Sequence, residues 1–214
     1  MKFDPTPKLL VSLLILVQPV LSGMEIRGQT VNGVQFAGNF TSLRSGVLYL
    51  SSEKREETDS LGIPVDILES ASIEIRKPYG PNLSKRLETL APLLPHLGMK
   101  TISILLEWIR HLGGTGDWTG VYLWSGRVRQ TAPDPGFQLE AALLEAQSLL
   151  KMGMYRELGL KLVPLNSSVQ PIDASPLLCL LNAAFWEWSG DTDKSCFWKQ
   201  LPELQIPSRD IRQN

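Results

Sequence analysis

Three glycines, Gly116, Gly153 and Gly190, stand 37 residues apart (153 − 116 = 37; 190 − 153 = 37), and this interval limits the fold more than any other feature. Each lies between two runs whose apolar residues recur at helical spacing. A leucine sits ten residues before each glycine (Leu106, Leu143, Leu180). Leu112, Leu149 or Trp186 stands four before it, and Leu123, Leu160 or Phe197 seven after it. A helical pair of this length cannot bury its apolar stripe alone, but stacked copies can, so the period predicts helical hairpins in a row. Glycine suits the turn because helices commonly end on a left-handed residue, which a side chain disfavours.

The predicted hairpins are 101–112 with 117–130, 137–151 with 154–162, and 175–188 with 191–201. A four-residue turn, Gly113–Gly116, joins the first pair, and a loop over 163–173 precedes the third. Asp117 and Asp191 follow their glycines and are placed to cap the returning helices. Ahead of these, Leu83, Leu87, Leu90 and Leu94 form one amphipathic stripe, with Ser84 near its start and Pro92 and Pro95 cutting it short.

Before residue 78 the texture changes to short alternating runs. Asn32-Gly33 is the strongest hairpin signal, because both positions must tolerate positive φ. It predicts that 24–31 pairs with 34–43, that 46–52 continues a meander, and that 63–65 and 72–76 are short strands. Residues 53–59 carry six charges in seven positions and read as a solvated loop tip. Pro78, Gly80 and Pro81 then punctuate a linker at 78–82. The fold class is therefore α+β. A small N-terminal antiparallel β meander or barrel occupies 23–77, an α-helical hairpin-repeat domain occupies 83–205, and 206–214 is a tail.

Residues 1–22 have the pattern of a secretory signal peptide: Lys2 and Lys8, an apolar core over 9–21, and small residues before Gly23. Thirteen core residues are too few to cross a bilayer, which takes roughly 20. The expected location is periplasmic or extracellular, with no membrane span after signal removal. Export would place Cys179 and Cys196, on either side of Gly190, where a disulfide forms if their depths match. Otherwise they are two thiols acting as small hydrophobes.

A net charge of −1 and a pI near 6.2 leave no footprint for nucleic acid. His96 and His111 are the only histidines, too few to build a metal cluster with the scattered carboxylates. No serine-nucleophile elbow or paired-histidine helix motif is present. The expectation is a non-enzymatic protein with no catalytic residue, no cofactor and no metal. The alternative is an exported enzyme of unknown reaction, using a pocket between the β module and the first helices. All six tryptophans lie in the helical part. Trp108, Trp186 and Trp198 read as core. Trp118, Trp124 and Trp188, with Tyr122, read as exposed anchors for a partner, since tryptophan dominates binding hot spots.

Ala146 and Ala183 seven before their glycines, Tyr155 two after Gly153, and the Gly190-Asp191 pair resemble tetratricopeptide-type repeats over roughly 100 residues. The period of 37 departs from that family's 34. So do Ile109, where a small residue belongs, and Leu158, where alanine is preferred. The resemblance implies a protein or peptide partner held on a helical face. In the β region, Gly33, Gly38, Gly46 and Ile63-Pro64 resemble small SH3-like or Sm-like barrels at the front of exported bacterial proteins. That segment lacks the basic and stacking residues of RNA-binding barrels, so RNA binding does not carry over. The function these features imply is an exported scaffold or adaptor.

Overall fold

The structure is a computed structural model that describes residues 24–51, 60–75 and 83–204. The signal segment 1–22, the charged loop 53–59, the linker 78–82 and the tail 206–214 lie outside the described residues. An antiparallel sheet is followed by helices, as the α+β reading requires.

The sheet has strands β1 (Glu25–Thr30), β2 (Gln35–Arg44), β3 (Val47–Ser51), β4 (Ser60–Pro64) and β5 (Leu68–Ile73). All pairings are antiparallel, in the order β4-β3-β2-β1-β5. The β1–β2 hairpin forms at Asn32-Gly33, where Gly33 has φ +78° and its N–H donates to the Thr30 carbonyl at 2.8 Å. Alternation decides which face is buried. Leu48 and Leu50 point inward from β3, facing Ile26, Phe36, Phe40, Ile63, Leu68, Ala71 and Ile73 in one small core. The last strand starts earlier than its alternation predicts, because Leu68 pairs with Thr30 across a bulge at the end of β1.

One connection shows that this sheet is curled. β4 and β5 stand at opposite ends of the strand order, yet only a single 3₁₀ turn, Val65–Ile67, joins them. In a flat five-stranded sheet the edges would lie about 19 Å apart, at about 4.8 Å per spacing. The chain from Pro64 to Leu68 reaches at most about 14 Å. The sheet must therefore bend, and it does so where side chains are missing. A Cβ on Gly28 would lie 2.3 Å from the Ser70 carbonyl oxygen and 2.5 Å from the Phe36 ring. Because one of those atoms is backbone, Gly28→Ala forces β1 and β5 apart. We expect it to cost about 2–3 kcal/mol, the scale of overpacking. A urea midpoint for the sheet unit equal to that of the parent would refute the close approach.

The chain divides into two compact units between Leu90 and Ala91. Helix α1 (Leu83–Thr89) thus groups with the sheet, although it lies beyond the predicted linker. The second unit opens with a 3₁₀ segment, Ala91–His96, where Pro92 and Pro95 prevent a regular helix. Its hairpins are α2 (Met99–Thr115) with α3 (Trp118–Thr131), α4 (Pro135–Lys151) with α5 (Tyr155–Ser168), and α6 (Pro176–Ser189) with α7 (Thr192–Leu204). The three periodic glycines all adopt the left-handed conformation, at φ +86°, +73° and +84°. Asp117 and Asp191 accept hydrogen bonds from the Gly120 and Lys194 N–H groups, as N-caps do.

Several helix boundaries differ from expectation, and two of them have a clear physical cause. The turn at Gly113–Gly116 shrinks to Gly116 alone, because α2 runs on to Thr115. Gly113 is there for packing: a Cβ would lie 3.1 Å from the Trp118 ring. Helix α5 does not stop at 162 but passes through Pro164 to Ser168. Pro164 is exposed, while Leu165 after it is buried and extends the Leu158–Leu162 stripe into the core. Burial of Leu165 outweighs the hydrogen bond that the proline removes. That core joins Ala146, Leu149, Leu158, Leu162, Leu178, Cys179, Leu181, Trp198 and Leu201.

Candidate partner-binding surface

The predicted anchors separate into three kinds. Trp124 is buried at 3% exposure, which corrects its assignment to the surface. It lies in one stripe with Val121 and Val128 and meets Trp108 edge-on at 5.4 Å. Arg127 covers its ring at 4.7 Å. Trp118 is half-buried beside Gly113, and Tyr122 is partly exposed. Trp188 is 50% exposed, and Tyr155 stacks on it at 5.3 Å with the rings nearly parallel. Among the core tryptophans, Trp108 and Trp198 are buried, whereas Trp186 is only half-buried, with the Lys194 ammonium 4.1 Å over its ring.

The cysteines are not joined. Cys179 is buried in the α6 core and Cys196 sits on the exposed side of α7. The two therefore differ in burial and carry no bridge in this structure. Burial pushes the Cys179 thiol above its usual range, leaving it a small core hydrophobe. Among the described residues no group of three or more His, Cys, Asp or Glu is placed to hold a metal. No described helix is long and apolar enough to cross a membrane.

One surface feature repeats with the fold. The apolar residue seven positions after each turn glycine is on the outside: Leu123 at 43%, Leu160 at 75% and Phe197 at 49% exposure. These side chains occupy the same turn of the three returning helices α3, α5 and α7. Scattered exposed apolar residues are ordinary, but one position exposed in three consecutive repeats is a pattern.

At Leu160 the pattern coincides with two grooves, and this residue lines both. The first, about 720 Å³, is walled by residues of α3, α4 and α5, with Leu139 and Pro164 beside it. At its base is Glu145, a carboxylate on the buried stripe of α4. Arg129 Nε donates to one of its oxygens at 2.8 Å and Lys161 Nζ to the other at 2.6 Å. Each cation is about one-third exposed (37% and 31%), so both face the groove as well as the acid. The second groove, about 510 Å³, lies between α5 and α6 and is almost wholly apolar. Phe185, Trp186 and Trp188 line it, and Phe185 rests on Gly159, where a Cβ would come within 2.6 Å of the ring. Asn166 and Asn182 close one end through a reciprocal amide pair at 2.7 and 2.9 Å.

Both grooves, and Glu145 with its partners, were missed in the sequence reading. Glu145 alone left a trace: it is a charge set among the small and apolar residues Ala141, Leu144, Ala146 and Leu149. Its cations are each 16 residues away on other helices, where no local pattern links them. Comparisons of the chain with protein-family models, curated proteins and solved structures gave no match.

Proposed function

We propose that the chain is an exported, non-enzymatic scaffold whose helical hairpins hold a protein or peptide partner. The observation that carries this reading is the exposure of Leu123, Leu160 and Phe197 at one repeat position. An apolar side chain kept on the surface at every repeat has no role in the stack's own core. It suits a partner that lies across the returning helices and buries it. Trp188 adds a large aromatic anchor beside that row, and Tyr122 a smaller one. The β unit fits a small SH3-like barrel: five antiparallel strands, a short 3₁₀ crossover and a strongly bent sheet. Its role would be to orient the hairpins or to receive a partner strand along an edge.

The test is affinity capture of the mature chain from its own envelope or secreted fraction. We expect a stoichiometric partner that the triple variant Leu123→Glu/Leu160→Glu/Phe197→Glu no longer retains. All three positions are exposed, so the variant keeps its circular dichroism spectrum. A chain that captures nothing, or whose partner remains bound to the triple variant, would defeat the proposal.

A further inference from the structure

We propose that the two grooves beside α5 hold one extended peptide that crosses the helix at Leu160. The peptide carries an acidic side chain in the first groove and a large apolar or aromatic one in the second. This rests on the partner-binding reading above and specifies the partner's chemistry.

Charge decides the first half. Of the charged residues lining the first groove, Arg129 and Lys161 are positive and Glu145 alone is negative, while Arg156 lines the second. The chain as a whole carries −1, so this surface is a local excess of positive charge. Glu145 engages only Arg129 Nε and one N–H of Lys161. The terminal guanidinium nitrogens and the remaining ammonium hydrogens have no further partner among the described residues. They are held in place by a buried acid, yet a third exposed, which prepares them for an incoming carboxylate. Arginine in particular takes a carboxylate through two parallel hydrogen bonds.

The second half follows from the lining. The groove of Phe185, Trp186 and Trp188 offers almost no polar surface, so its natural occupant is an aromatic or bulky aliphatic side chain. Spacing links the two. A helix with its side chains is about 10–12 Å across, and an extended chain advances about 3.3–3.6 Å per residue. The acidic and apolar residues must then be three or four positions apart, with the peptide backbone over Leu160. That side chain is 75% exposed in the free protein.

Fluorescein-labelled ten-residue peptides, each with one Glu and one Phe at separations of one to six, test this by anisotropy against the purified chain. Binding should peak at a separation of three or four. It should weaken at least tenfold when the peptide Glu becomes Gln or the Phe becomes Ala. Raising salt from 50 to 500 mM should weaken it several-fold, an effect that Lys161→Gln reduces. That variant retains Arg129 on Glu145 and so keeps the fold. Leu160→Glu, a surface change, should abolish binding, and Trp188→Ala should weaken it. Affinity independent of spacing, undiminished binding to Leu160→Glu, or no binding by any peptide overturns the inference. If the intact chain still captures a partner in that case, the general reading survives and only this peptide chemistry fails.

Discussion

Trp108→Ala should lower the unfolding free energy of the helical unit by about 3–5 kcal/mol, the range for emptying a buried aromatic site. Trp108 is 2% exposed and sits edge-on to Trp124, so truncation removes both a fully buried tryptophan of the first hairpin and its ring contact. Aromatic pairs add about 0.5–1.5 kcal/mol beyond area burial. Ile102, Leu105, Leu106 and Ile109 of the same helix are buried too, so the site lies in a filled core. A domain stable by only about 5–15 kcal/mol loses a large share of that margin. Urea unfolding followed by helical circular dichroism measures the loss without relying on tryptophan emission. A shift under 1 kcal/mol would mean that the first hairpin is loosely packed and Trp124 is free to move outward.

The ion group at Glu145 should respond unequally to cuts from its two sides. Removing both cations, by Arg129→Met with Lys161→Met, strands a carboxylate that is 3% exposed. Breaking a buried pair this way costs about 3–5 kcal/mol. Glu145→Leu should cost much less, because each released cation is already a third exposed and turns to water. The triple variant should recover most of what the double variant loses, since no buried charge then remains. Denaturant midpoints for the three variants check this. Equal costs for Glu145→Leu and the double substitution would show that the acid, not the cations, organises the group.

How much of this could be read beforehand depended on whether the signal was local. Gly116, Gly153 and Gly190 each need positive φ whatever surrounds them, so their spacing exposed the hairpins directly. Gly33 placed the first β turn for the same reason, although Asn32 beside it does not share the positive φ. Trp124 was legible too, since it shares the spacing of Val121 and Val128; its reading as a hot-spot anchor overlooked that stripe. Pro164 illustrates the opposite case. Its own chemistry ends helices, but the burial of Leu165 one residue on outweighs it, and that burial is a tertiary fact. The grooves beside α5 are further out of reach. They depend on which residues of three or four helices meet, and no stretch of chain encodes this alone.

The three-residue crossover between β4 and β5 also sets a timetable. β1 pairs on one side with β2, a few residues on, but its other partner is β5, from Thr30 to Leu68 a separation of 68 − 30 = 38 residues. At about 5–20 residues per second of synthesis, roughly 2–8 s pass before that strand exists. During this time β1 presents a row of unpaired backbone donors and acceptors to whatever is near. The strand made first in the sheet is thus the last to be fully enclosed.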